Sequence, residues 1–124
     1  MIYGIGVDLI EIDRIRQAIE RNGQRFIDRI YTDAEQAYCS QRSSYACYAA
    51  RFTAKEAFLK AFGTGLRKGM RWRDIEVCTD ELGKPYLQLY GYLQKQCQHN
   101  GLHHIYLSLS HSSAYAIAQV VIER

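Results

Sequence analysis

One proline in 124 residues, no Cys-x-x-Cys pair and no glycine-, serine- or proline-rich stretch leave nowhere to place a linker. No internal repeat is present either, so residues 1–124 read as a single domain, large enough to bury about 65% of its unfolded surface. No run approaches the ~20 apolar residues of a membrane span. The first residues alternate as a strand does, without a charged segment leading into a hydrophobic signal core, so the expectation is a soluble cytoplasmic protein with no membrane partner. Cys39, Cys47, Cys78 and Cys97 are widely spaced in a chain long enough to fold without staples, and all four are expected to be reduced. Cys97, His99 and His103 lack the second ligand pair that a tetrahedral zinc site needs. A net charge of +3 is too small for a dedicated nucleic-acid binder, and no nucleic-acid partner is expected.

Periodicity predicts a strand near 2–9, a helix near 12–28 and a short helix from Thr32, whose Thr32-Asp33-Ala34-Glu35 sequence is a capping box. A long helix follows at about 45–62. Strands at 74–79 and 85–90 flank an 80–84 turn, and a helix at 91–99 is closed by Gly101. Two last strands, 105–110 and 115–122, are joined by a polar turn around His111 to Ala114. The fold class is α+β, a mainly antiparallel sheet packed with the long helix. The last strand is apolar on both faces, which a two-sided core or a subunit interface would explain.

The most informative stretch is Arg51 to Gly65. Ala50, Ala54, Ala57, Phe58 and Ala61 share one helix face, while Phe52, Glu56 and Lys60 lie along another stripe. Gly63 terminates the helix, because a residue just past a helix end often enters the left-handed conformation. Glu56 and Lys60 could be a solvated i,i+4 ion pair worth about 0.3 kcal/mol. Phe52 and Leu59 beside them argue instead for a covered face, where an idle charge pair is costly.

Asp8 ends the strand Ile2 to Asp8, sharing a face with Gly4 and Gly6, and strand glycines mark close approach of a backbone or a ligand. It would equally serve as the N-cap of the next helix. On the first predicted helix, Arg14, Arg21 and Arg25 fall within about 40° of one another opposite the Ile12, Ile15, Ile19, Phe26 and Ile30 stripe. They form a basic ridge, either a solvated face or a docking surface for an acidic partner.

Gly4-Ile5-Gly6-Val7-Asp8-Leu9-Ile10-Glu11-Ile12, Phe52 to Gly65 and Ser108-Leu109-Ser110-His111-Ser112 together resemble, in order and spacing, the small bacterial class of 4'-phosphopantetheinyl transferases. The resemblance runs the full chain and includes Trp72 to Val77 and the Gly83-Lys84-Pro85 turn. It implies transfer of the phosphopantetheinyl arm of coenzyme A to a serine of apo acyl carrier protein, releasing 3',5'-ADP and supporting fatty acid biosynthesis. Asp8 and Glu56 match the family's metal ligands, and two carboxylates completed by waters suit Mg²⁺. Lys60 matches the lysine that contacts the pyrophosphate, so Glu56 and Lys60 are the catalytic candidates. Glu56, Lys60 or a metal-bound water could take the proton. Coenzyme A carries roughly four negative charges, for which Arg51, Lys60, Lys84, Ser110 and His111 are candidate contacts, with Gly63 and Gly65 offering backbone amides. The carrier protein is acidic, which suits Arg14, Arg21 and Arg25.

The family is trimeric, so the resemblance also implies a homotrimer with sites between subunits. The two-domain relatives carry a third acidic ligand where this chain has Ile10, which points to the short class. The competing reading is a non-catalytic basic module that binds RNA or an acidic protein through the arginines and the ten tyrosines. Such a module has no need of Asp8, Glu56 and Lys60 together.

Overall fold

The computed structural model describes all of residues 1–124. In chain order the elements are β1 (Ile2–Glu11), α1 (Ile12–Asn22), α2 (Gln24–Ile30), α3 (Asp33–Ser40), α4 (Ala46–Phe62), β2 (Ile75–Thr79), β3 (Pro85–Leu89), α5 (Gly91–His99), β4 (His104–His111) and β5 (Tyr115–Glu123). A single 3-10 turn, Trp72–Asp74, leads into β2. The strands form two antiparallel sheets where one was expected: a three-stranded sheet ordered β1-β5-β4 and the separate β2-β3 hairpin.

Helix α4 lies on the inner face of the larger sheet. Ala54, Ala57, Phe58 and Ala61 are buried against Ala118, Val120 and Ile122 of β5. Small residues on the helix and glycines on β1 let the two backbones come very close. A Cβ at Gly4 would lie 1.9 Å from the Ala61 carbonyl oxygen, and one at Gly6 equally close to that of Ala57. Helix backbone is thus what the two strand glycines admit, and the approach leaves no room for a ligand between.

Four expectations are corrected here. Strand β1 runs on to Glu11, so Asp8 sits inside it opposite Ala118, neither at a strand end nor at a helix cap. The helix expected at 12–28 is broken at Gly23, whose φ of +60° closes α1 through an N–H bond to the Ile19 carbonyl at 2.6 Å. Strand β5 is not the two-sided core element that its apolar faces allowed: Ala116, Ala118, Val120 and Ile122 are buried, whereas Ile117 and Gln119 on the other face are exposed. Its outer apolar residues join the exposed Ile5, Val7 and Leu9 of β1. Cys39 and Cys47 are joined as a disulfide across the α3–α4 hairpin, with Cα atoms 5.5 Å apart, while Cys78 and Cys97 are free.

The Thr32 capping box forms in full: Thr32 N–H donates to Glu35 Oε1 at 2.9 Å, and Glu35 N–H donates to Thr32 Oγ1 at 3.2 Å. Glu35 continues inward to a fully buried pair with Lys55. The Lys55 ammonium donates to Glu35 Oε1 and the Ile30 carbonyl, both at 2.7 Å, and to the Trp72 carbonyl at 3.2 Å. Glu35 Oε2 accepts the Val77 N–H at 2.8 Å. A buried ion pair holds its place only with such full satisfaction. This one fastens α3, the end of α2 and the approach to β2 onto α4, one residue before Glu56.

Candidate active site

Because β1 is pressed onto α4, the inward side chain two residues beyond Gly6 meets the stripe of α4 that carries Thr53, Glu56 and Lys60 at i, i+3 and i+7. Thr53, fully buried, donates its hydroxyl proton to Asp8 Oδ2 at 2.5 Å. Lys60 donates to Asp8 Oδ1 at 3.0 Å and to the Val7 carbonyl at 3.1 Å. Asp8 is therefore held at both oxygens. Its side chain is 17% exposed and that of Lys60 54%, so the pair opens to solvent on the lysine side.

Glu56 has no hydrogen-bond partner in the protein and is partly buried. Burial, then the Asp8 carboxylate, raises its proton affinity above the ordinary glutamate value, and Lys60 offsets this in part. Phe52, one turn earlier, leans on Trp72 with ring centroids 5.3 Å apart and makes an apolar wall beside the carboxylates. No group of three or more His, Cys, Asp or Glu side chains is arranged to hold a metal ion, and the carboxylates at this site are two, Asp8 and Glu56. That set nevertheless fits a hard dication. Both donors are carboxylate oxygens, and the repulsion between them, which Lys60 offsets only in part, is what a bound cation would relieve further.

A second group of the sequence candidates gathers elsewhere. Arg51, Ser110 and His111 line a cavity of about 450 Å³ together with Tyr38, Arg42 and Cys47. Arg51 is 5% exposed and its Nε, although a donor, has no acceptor. Its guanidinium lies 4.3 Å from the Tyr38 ring centroid, and that of Arg42 lies 3.5 Å from the same centroid. His111 is the last residue of β4, and Ser112 Oγ accepts the Ala114 and Tyr115 N–H groups at 3.2 and 3.1 Å to shape the turn after it. Asp8, Glu56 and Lys60 do not line this cavity.

The remaining candidates are more scattered. Gly83 and Pro85 line the cavity, but Lys84 between them does not; its N–H is tied to Asp80 Oδ1 at 2.8 Å. Gly63 and Gly65 have φ of +101° and +68° with open space where a side chain would be, so backbone conformation alone requires glycine there. Arg14 and Arg21 are exposed on α1, while Arg25 belongs to α2, so the expected single ridge is divided by the Gly23 break.

Thr53, Tyr38 and Arg42 were missed in the sequence. Thr53 was discoverable, since it stands three residues before Glu56 on the same stripe. Tyr38 belongs to α3 and Arg42 to the loop after it, and where they meet depends on how α3 and α4 pack.

The model of the 4'-phosphopantetheinyl transferase superfamily matches residues 4–120. A holo-[acyl-carrier-protein] synthase of Geobacter sp. strain M21 is 49% identical, with the alignment covering all of both chains. The crystal structure of holo-[acyl-carrier-protein] synthase from Neisseria meningitidis superposes with a TM-score of 0.94 at 38% identity, covering all of both chains. A holo-(acyl-carrier-protein) synthase from Bacillus anthracis in complex with CoA (3',5'-ADP) superposes with a TM-score of 0.82 at 38% identity, over 98% of this chain and 96% of that one.

Proposed function

Because this chain belongs to the holo-[acyl-carrier-protein] synthases of the 4'-phosphopantetheinyl transferase superfamily, we propose that it moves the 4'-phosphopantetheine group of coenzyme A onto a serine of apo acyl carrier protein. The reaction depends on Mg²⁺, releases 3',5'-ADP and supports fatty acid biosynthesis in the cytoplasm. The observation that carries this reading is the cluster of Asp8, Glu56 and Lys60, with the ammonium 3.0 Å from one carboxylate and the other carboxylate unpartnered.

Each residue has a distinct task. Asp8 and Glu56 would hold Mg²⁺, which supplies charge neutralisation on the diphosphate when bound. Thr53 and Lys60 fix both oxygens of Asp8, leaving its orientation settled before substrate arrives. Lys60, solvent-exposed while bound to Asp8, stabilises the negative charge that develops on the phosphate oxygens. The proton of the carrier serine passes to Glu56 or to a water held beside it. The serine oxygen then bonds to the phosphorus bearing the pantetheine arm, and the bond from that phosphorus to the bridging oxygen of 3',5'-ADP breaks.

Arg51, Ser110 and His111 bind the phosphates of coenzyme A in the 450 Å³ cavity, with Lys84, Gly63 and Gly65 as further contacts. Arg14, Arg21 and Arg25 receive the acidic carrier protein. The working unit is a homotrimer that covers the outer faces of β1 and β5 and brings the carboxylates of one subunit to the cavity of the next. Incubation with apo carrier protein, coenzyme A and Mg²⁺ should increase the carrier mass by one phosphopantetheinyl group. Asp8→Ala and Glu56→Ala chains that stay folded should give none; transfer at near wild-type rate by either would overturn the assignment.

A further inference from the structure

The disulfide stands at the wall of the cavity assigned above to coenzyme A. Cys39 closes α3 and is 1% exposed; Cys47 lies in the first turn of α4, is partly exposed and lines the cavity. The loop between them, residues 40–46, carries Arg42 and Ser44 to that same cavity. The Arg42 guanidinium is held twice by Tyr38, stacked on its ring and donating from Nη1 to its carbonyl at 2.7 Å. With Arg51 against the same ring and lacking an acceptor at Nε, the loop completes a pair of guanidiniums facing one space.

The two sulfurs are not equivalent. Cys47 is the accessible one, and as the second residue of a 17-residue helix it sits among N–H groups that favour negative charge. Arg51 lies one turn further along the same face. Of the free thiols, Cys97 is buried and Cys78, although partly exposed as Cys47 is, lies against Glu76; burial, reinforced by Glu76 at Cys78, pushes each up to about 11, so both stay protonated and inert. Exchange chemistry is therefore confined to one pair, and its reachable atom is Cys47 Sγ.

We propose that Cys39–Cys47 is a thiol–disulfide exchange site that sets the affinity of the adjoining cavity for phosphorylated nucleotide. The proposal rests on the cavity being the coenzyme A site. A dithiol reductant supplies the two electrons. One of its thiolates bonds to Cys47 Sγ, the Cys39–Cys47 bond breaks, and Cys39 leaves with the pair and takes up a proton. The second thiol of the reductant then displaces Cys47, which is released as the thiol or thiolate while the reductant closes to its own disulfide. With the bond intact, the loop is tethered at both ends and Arg42 is held in place. Without it, ordering the loop and its arginine falls on the binding step.

Titration calorimetry with 3',5'-ADP, which has no thiol of its own, tests this on wild-type protein. One sample is oxidised with glutathione disulfide and one reduced with dithiothreitol, each state verified by intact mass. The reduced form should bind about three- to tenfold more weakly. A Cys39→Ser/Cys47→Ser chain should match the reduced form and ignore dithiothreitol. Equal affinity of the two wild-type forms, or failure of the disulfide to form on oxidation, overturns the switch alone. If neither form binds 3',5'-ADP, the switch and the assignment of the cavity fall together.

Discussion

Gly6 faces the carbonyl of Ala57 so closely that a Cβ on Gly6 would stand 1.9 Å from its oxygen. The site depends on this approach, because Asp8 meets Thr53 and Lys60 only while β1 and α4 are in backbone contact. Gly6→Ala must push the helix away. The expected cost is about 1–3 kcal/mol or more in urea unfolding. Transfer activity should fall at least tenfold even where the chain remains folded, since the Asp8 contacts are lost together. Gly63→Ala is the contrast: nothing lies within 4 Å of the added carbon, and only the backbone φ of +101° resists. Equal activity of Gly6→Ala and wild type would show that the approach does not set the site.

The raised proton affinity of Glu56 makes a signed prediction for pH. Between the ordinary glutamate value of about 4.3 and its raised value in the fold, the folded chain holds a proton that the unfolded chain has released. Stability therefore falls as pH rises through that window. In the absence of divalent cation, Glu56→Gln should have a higher Tm than wild type at neutral pH, and the difference should vanish once both states are protonated. Added Mg²⁺ should raise the Tm of wild type and leave that of the variant nearly unchanged. Calorimetric scans with and without chelator check both parts, and a lower Tm for Glu56→Gln at neutral pH would contradict the account.

What the sequence disclosed, and what it hid, follows from the range of the interactions. The Thr32 capping box, the α4 stripe and the Gly63 terminator are local patterns, and each appears where expected. The break at Gly23 was hidden because Ile15, Ile19, Phe26 and Ile30 continue one apolar stripe across it, and a glycine inside such a pattern does not by itself end a helix. Asp8 resembled a strand end because the pairing that carries β1 on to Glu11 is supplied by Tyr115, more than a hundred residues away. Cys39 and Cys47 are close in sequence, but only the α3–α4 turn brings their sulfurs together. Lys55 carries no local signal, because Glu35 and the two carbonyls around it come from other elements.

Lys55 should accordingly be more important to stability than the exposed Lys60. Lys55→Met removes the cation and leaves the Glu35 carboxylate buried with only the Thr32 and Val77 N–H groups to hold it. Loss of one partner from a buried pair costs about 3–5 kcal/mol. Lys60→Met, at an exposed position, should change the unfolding midpoint little while lowering the single-turnover rate. Urea titration of both variants makes the comparison, and a Lys55→Met midpoint equal to that of wild type would remove the buried pair from the account of stability.

On α1 the arginines divide into paired and free. Arg16 is engaged by Asp13 and Glu20, both at 2.6 Å, whereas Arg14 and Arg21 have no carboxylate partner. Arg14→Glu/Arg21→Glu should raise the KM for carrier protein about tenfold or more. The KM for coenzyme A should stay the same, and the salt dependence of the carrier KM should weaken. Arg16→Gln should change neither KM appreciably. A parallel rise in both KM values for the double variant would mean that these arginines serve the fold or the nucleotide.

The last prediction concerns the two separate halves of the site. In one chain the carboxylate cluster and the Arg51–His111 cavity share no lining residue, yet the proposed transfer needs both at one diphosphate. The outer faces of β1 and β5 leave Ile5, Val7, Leu9 and Ile117 each 40% exposed or more, an apolar surface that association would cover. If neighbouring subunits bring the halves together, Asp8→Ala and His111→Ala chains should each be inactive alone. Trimers reassembled from a mixture of the two should regain part of the activity, because some junctions receive Asp8 from one chain and His111 from the other. Inactivity after verified subunit exchange would count against a shared site, and a monomer in sedimentation would end it.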